Sequence, residues 1–481
     1  MADVAPASPP AASAAPPSPA AKVRLINKFA FGAGDFGPAV AASVIGYFLL
    51  IFFTDVAGLS PSLAGLVLLL TKAWDAVNDP IMGYLSDRVR TRWGRRRPWF
   101  LFGAIPFGLA FFLHWLVPPF GETGKFWYYL GVSLLFDTAF TIVNTPYTAL
   151  TAEMTSDFDE RTSLNSFRFA FSIGGQLFAL VVHQMIVGSF GADVRGGYVA
   201  AGAILGLFAS LPFFFAFWGT YERADAPQET ELPFWEGMKT TFANVPFRYA
   251  SGVYLCSWLA TSIVQTVLAF YIQYWLRLSD YLLPILFGLQ ISSFVWLFIW
   301  SRLSQRLGKK GVYYRGIAVL IAVLLALFAL PASAPFWLVL ALALCAGVGT
   351  AVSILIPWSI LPDVIELDEL ETGQRREGAF YGFFVLLQKL GVALGLFLIG
   401  QLLELTGYVS AQAGVASVEQ PASALAALRW IIGPIPAALL AMGIVLMWRY
   451  PITKERHAAT LAELERRRAA KVLGADPAPS H

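Results

Sequence analysis

Asp75 and Asp79 stand four residues apart in "KAWDAVNDPIMGYLSDR", Lys72 to Arg88. A spacing of i and i+4 puts both carboxylates on one face of a helix, and Lys72, three residues before Asp75, joins the same stripe. The flanking sequence is apolar. A charge at the centre of a membrane-spanning helix costs about 2.5–3.5 kcal/mol on insertion scales, so such charges are by default functional. Two carboxylates with nearby amide or backbone oxygens can coordinate Na⁺, a hard cation that prefers oxygen, or can share one exchangeable proton. Asn78 offers an amide oxygen from the adjacent face. A structural salt-bridge cluster around Lys72 is the alternative.

The elements that carry these groups must be membrane helices. Of 481 residues, 57% are hydrophobic and only 14% are charged, whereas a soluble protein carries about 25% charged residues. Apolar runs recur that are long enough to cross about 30 Å of hydrocarbon as helices. Twelve spans are predicted: 27–54, 62–86, 98–118, 126–152, 165–190, 197–220, 248–275, 281–304, 313–331, 335–360, 378–404 and 426–449. The fold class expected is an all-α polytopic membrane protein of two pseudo-equivalent six-helix halves.

Basic residues set the orientation. Arg88, Arg90, Arg92, Arg95, Arg96 and Arg97 crowd the second connection, and Arg302, Arg306, Lys309, Lys310 and Arg315 the eighth. The positive-inside rule then places both termini in the cytoplasm of a multi-pass cell-membrane protein. The domain reading is a disordered tail at 1–24, a first half at 25–220, a cytoplasmic linker at 221–247, a second half at 248–450 and a cytoplasmic tail at 451–481. Within that tail, 453–472 reads as a basic helix, either lying on the inner leaflet or solvated. Cys256 and Cys345 lie in apolar spans and imply neither a disulfide framework nor a metal site.

Internal repetition supports the halves. "PYTAL" at Pro146–Leu150 is echoed by "PWSIL" at Pro357–Leu361, and "SDRVRTRWGRRR" at Ser86–Arg97 more faintly by "SQRLGKK" at Ser304–Lys310. Two equivalent halves around a mid-membrane site is a common transporter plan.

The motif "WDAVNDPIMGYLSDR…TRWGRRRPW" resembles the second helix and following loop of the glycoside–pentoside–hexuronide:cation symporters, the melibiose-carrier relatives in the major facilitator superfamily. "GAGDFG" at Gly32–Gly37, "FFTDVAGLS" at Phe52–Ser60, "TIVNTPYTAL", "FRFAF" and "FVLLQKLG" at Phe384–Gly391 extend the resemblance through both halves. It implies cation-coupled uptake of a small solute by alternating access. Asp75 and Asp79 inherit the cation site, Thr141 assists them, and Lys389 joins Lys72 in balancing their charge. Arg168 matches an arginine that contacts sugar. No cofactor is implied beyond the coupling ion, Na⁺ or H⁺. The partners expected are a solute, a monovalent cation and the bilayer, without nucleic acid, and the chain is expected to act as a monomer.

The chain departs from the melibiose pattern at the sugar. The fourth-helix acid that holds sugar hydroxyls there is Asn144 here, and the neighbouring aromatic is Thr148. Asp35 lies about one turn before the place of the first-helix acid. Asp137 is new, and Asp137, Thr141 and Asn144 form an i, i+4, i+7 stripe. The substrate-binding set expected is Asp35, Asp137, Asn144, Thr148, Arg168, Trp358 and Gln388. Sugars, glycosides and uronates remain open, as does an amphiphile, since related sodium-coupled carriers move lysolipids. His183 reads as a proton relay or as a histidine bonded to a backbone carbonyl. Gln265, Gln273 and Tyr274 are further candidates to line the cavity.

Gating is expected of Arg95, Arg96 and Arg97. The charge-dense run Asp363–Glu377, read as a loop, would supply acids such as Asp363 to pair with them when the inner side closes. No H-E-x-x-H, nucleophile elbow or phosphate-cradling loop points to an enzyme. A non-transporting sensor on the same scaffold is the remaining rival.

Overall fold

The computed structural model describes residues 22–155, 157–222, 234–374, 376–410 and 419–472. Most of the predicted tail at 1–24, part of the linker, Arg375 and the last residues of the chain lie outside the described residues. The order is α1 (Leu25–Ala33), α2 (Phe36–Ile51), α3 (Pro61–Arg88), α4 (Arg97–Leu113), α5 (Glu122–Met154), α6 (Phe158–Ser189), α7 (Val194–Gly219) and α8 (Phe234–Ala243). Then come α9 (Val245–Phe270), α10 (Leu282–Ala329), α11 (Phe336–Thr372), α12 (Glu377–Leu405), α13 (Ala422–Ile432), α14 (Pro434–Arg449) and α15 (Lys454–Val472). Helices α1 and α2 share one span, as do α13 and α14, while α10 holds two, divided where Gly308 takes φ 71°. Among the described residues that makes twelve helical spans, six before α8 and six after it.

Local chemistry sets several boundaries. Pro61 opens α3 at a position where its missing N–H is not needed. Asp157, Asp193 and Asn244 cap α6, α7 and α9, each accepting from a backbone N–H three residues on. Gly373, left-handed at φ 72°, ends α11. α11 therefore runs twelve residues past the predicted limit of 360, and the acidic run from Asp363 onward is mostly helix rather than loop. Leu and Glu there are good helix formers, and glycine is the stop. The linker likewise holds a helix, α8, which packs on α9 and α12.

The halves meet along three seams: α2 with α9, α6 with α10 and α3 with α12. The last seam is closest near the start of α3. A Cβ on Gly400 would stand 2.4 Å from the Pro61 carbonyl oxygen and 3.0 Å from Gly65 Cα, so only glycine admits this approach. Further along the antiparallel pair, a Cβ on Gly83 or on Gly382 would meet nothing within 4 Å. α3 and α12 thus splay apart toward the arginine-rich end.

Candidate functional site

α3 brings Asp75, Asn78 and Asp79 to the seam with α12, and α5 lies behind them. The Lys389 ammonium on α12 sits between the two carboxylates, 2.8 Å from Asp75 Oδ1 and donating to Asp79 Oδ2. Thr141 Oγ1 donates to Asp79 Oδ1 at 3.0 Å. Lys72 Nζ lies 3.2 Å from Asp75 Oδ2 and 3.3 Å from Asp137 Oδ1. Trp74 Nε1 donates to Thr138 Oγ1 at 2.9 Å and fixes the register of α3 on α5. Asp75, Asn78, Asp137 and Thr141 are buried, while the Asp79 side chain keeps 36% of its exposure.

The cluster has the features of a cation site. A lysine ammonium, itself a monovalent cation, bridges two carboxylates from the other half of the molecule. Pro80 adds a backbone feature: it has no N–H to bond the Ala76 carbonyl one turn earlier, so that oxygen is left to other partners. The Asn78 Nδ2 and Asp137 Oδ2 atoms are buried without hydrogen-bond partners. Buried polar atoms of this kind cost about 1–3 kcal/mol and mark a place where a ligand or a rearrangement is to be sought.

The expected solute residues divide into four groups. Asp35 stands at the break between α1 and α2 and faces Arg168 of α6, Oδ1 to Nε 3.4 Å. The Arg168 guanidinium also lies over the Tyr147 ring, 5.9 Å from its centroid. Asp137 belongs instead with Lys72, in the cation cluster. Thr148 turns its hydroxyl back to the Thr145 carbonyl at 3.0 Å, and Asn144 lies half-buried on the same helix. In the second half, Trp358 is 38% exposed and packs its ring against Tyr254 and Phe384, centroids 5.7 and 6.0 Å away. Gln388 is half-buried beside Lys389.

The gating residues pair within their own halves. Arg95 Nη2 lies 2.8 Å from Glu153 Oε1, Arg96 also bonds that oxygen, and Arg96 reaches Asp87 at 2.6 Å. The backbone N–H groups of Arg95, Arg96 and Arg97 converge on the Glu222 carboxylate at 2.7–3.0 Å, an anion seated at the start of α4. Asp363 takes the equivalent part in the second half, where Lys309 Nζ meets both its oxygens at 2.6 and 2.7 Å. His457 of α15 stands 2.6 Å from Glu366 and 3.3 Å from Asp363, and Arg467 bonds the Leu370 carbonyl. α15 is therefore docked by these bonds on the end of α11.

Other bonds join the halves, and these run from the site toward the end opposite the arginines. Tyr47 and Gln176 hold Gln290 between them, explaining a polar residue in the eighth span. Ser410 bonds the Leu59 carbonyl at 3.0 Å. Asp55 accepts from the hydroxyls of Tyr274 and Tyr408. Sequence reasoning passed over the Asp55 pairings, and the only signal was an acid at the very end of an apolar span. His183 neither relays nor bonds a carbonyl: it is buried and stacks on Phe48, centroids 4.2 Å apart. The backbone-bonded histidine is His114, on the Ala110 carbonyl at 3.2 Å.

Comparison with known proteins gives the family and the fold. Residues 30–454 match the family model described as MFS/sugar transport protein. An uncharacterised symporter of Synechocystis is 38% identical over 93% of this chain and 98% of its own length. The sodium-dependent lysophosphatidylcholine symporter 1-A of Danio rerio is 29% identical over 89% of this chain and 86% of its own. The crystal structure of a D-xylose–proton symporter superposes with a TM-score of 0.63 at 16% identity, covering 89% of this chain and 98% of that one, which shows the shared fold.

Proposed function

Because the chain belongs to the MFS/sugar transport family of major facilitator symporters, membrane carriers and not enzymes, we propose that it couples Na⁺ entry to uptake of a sugar or glycoside-like solute. One observation carries this reading: Lys389 bridges Asp75 and Asp79 from the opposite half. A cation seated between those carboxylates must displace the ammonium, and so releases a tie between the halves. Ion binding then changes the relative energies of the two conformations, which is what coupling requires. Asp75, Asp79 and Thr141, with Asn78, supply the oxygens for Na⁺.

In this reading the halves 25–220 and 248–450 rock about the site, the arginine-rich end is cytoplasmic, and both termini lie there. The open space beside Gly83 and Gly382 supports reading this conformation as open inward. Arg95–Arg97 and Lys309 regroup with acids across the halves when the inner side closes. Asp35, Arg168, Asn144 and Gln388 offer hydrogen bonds to solute hydroxyls, and the partly exposed face of Trp358 offers a stacking surface.

A second solute class is favoured by the Asp35–Arg168 pair. Its opposite charges complement a zwitterionic headgroup, phosphate toward Arg168 and ammonium toward Asp35, and relatives with sodium-dependent lysophosphatidylcholine symporter in their names align over most of the chain. A thermal-shift screen of sugars, uronates and lysophosphatidylcholine, in Na⁺ and in choline, separates the classes. Hits are then followed into vesicles. Accumulation of a sugar on an imposed Na⁺ gradient supports the first reading and accumulation of the lysolipid supports the second. No accumulation of any solute on a cation gradient overturns both.

A further inference from the structure

The i, i+4, i+7 stripe on α5 carries an acid, Asp137, that nothing in the cation reading uses. Asp137 is 2% exposed. One oxygen faces Lys72 at 3.3 Å, and the other, Oδ2, is buried without a hydrogen-bond partner. Lys72 in turn divides its ammonium between Asp137 and Asp75, at nearly equal distances of 3.3 and 3.2 Å. Asp75 is thereby shared between two lysines, Lys72 on its Oδ2 side and Lys389 on its Oδ1 side.

Charge counting shows what this does. Asp75 and Asp79 with Lys72 and Lys389 sum to zero, and a neutral cluster has no electrostatic need of an ion. Adding Asp137 makes the sum −1. We propose that Asp137 sets the charge of the coupling site: it shares Lys72 with Asp75 and leaves the cluster one positive charge short, so that it takes one monovalent cation per cycle. Within a membrane an uncompensated charge is costly, and an ion that supplies the missing charge is bound for that reason. Asp137 acts on the ion through Lys72 and is a positioning residue, not a ligand of the solute. The inference rests on the cation-coupled reading and assigns to that site a residue expected to bind solute.

The test is Na⁺ titrated calorimetrically into the purified full-length protein in choline buffer. Wild-type protein that takes up no Na⁺ at all contradicts the cation reading itself, whereas the variants address Asp137 alone. Asp137→Asn brings the sum to zero and is expected to weaken Na⁺ binding by about tenfold or more. Lys72→Gln combined with Asp137→Asn restores −1 and is expected to return the affinity to within a few-fold of wild type. Rescue by the double variant is a readout that a merely structural role would not give. Unchanged Na⁺ affinity in Asp137→Asn overturns the proposal, and so does a double variant as weak as the single one. Should Asp137→Asn fail to fold, the double variant, which removes the pair together, decides the matter: Na⁺ binding supports the proposal and its loss overturns it.

Discussion

Asp55 and Tyr274 occupy equivalent places in the two halves, and they bond to each other. Each lies in a π-helical turn that ends the first span of its half, Phe52–Val56 and Tyr271–Trp275. The backbone closes alike in both: Ala57 N–H to Phe52 and Leu59 N–H to Phe53 in one, Leu276 to Tyr271 and Leu278 to Ile272 in the other. Residues near a pseudo-two-fold axis meet their own counterparts, and here the pair became an acceptor and a donor. Tyr408 adds a second hydroxyl on Asp55 Oδ1 at 2.7 Å.

These bonds close the end opposite the arginines. A hydrogen bond to a charged group contributes about 1.5–3 kcal/mol, and 1.4 kcal/mol is tenfold in a population. Asp55→Ala is therefore expected to shift the carrier toward opening at that end. The readout is maleimide labelling of Gln265→Cys, at the seam beside Gly46, in a background lacking Cys256 and Cys345. A rise of about tenfold is expected, and an unchanged rate would show that the latch lies elsewhere.

Lys389→Gln should separate binding from coupling. Without the ammonium the acidic cluster is more negative and holds Na⁺ at least as well, but ion binding no longer releases the α3–α12 tie. Na⁺ affinity is expected to be kept or raised about tenfold while gradient-driven accumulation falls severalfold. Loss of both together would make Lys389 a part of the ion site rather than its competitor.

The α3 part of the cluster was legible from the sequence because its logic is local. A charge stripe at i, i+3 and i+7 on an apolar helix fixes which side chains share a face, and Thr141 and Lys389 followed from the resemblance. The break at Gly34–Asp35, the continuation of α10 through Gly308 and the docking of α15 did not follow, because each depends on what a segment packs against. The same holds for Asp137. Its stripe with Thr141 and Asn144 was plain, but periodicity names a face and not the partner across it, and that partner is Lys72.

Protons compete with Na⁺ for carboxylates, so Na⁺ affinity falls as pH falls. Na⁺-driven uptake is expected to weaken as the pH is lowered toward ordinary carboxylate values of about 4. Initial rates across pH 5–8, with and without a Na⁺ gradient, check this. Uptake that rises on acidification and ignores Na⁺ would identify a proton symporter.

Glu153 is buried and held by Arg95 and Arg96. Removing the cations from a buried pair costs about 3–5 kcal/mol, mostly from the charge left behind. Arg95→Gln with Arg96→Gln is expected to lower the unfolding temperature measurably, and adding Glu153→Gln to recover part of the loss. A triple variant no more stable than the double would mean that the arginines matter through Asp87 or the backbone instead.

Asp75 and Asp79 are expected to hold the coupling ion. Radioactive ²²Na⁺ binding to the purified protein at pH 7.5, in wild type and in Asp75→Asn and Asp79→Asn, tests it without knowledge of the solute. Saturable binding of about one ion per chain is expected, displaced by Li⁺ and lost in both variants while each still folds. Undiminished ²²Na⁺ binding in both variants would contradict it.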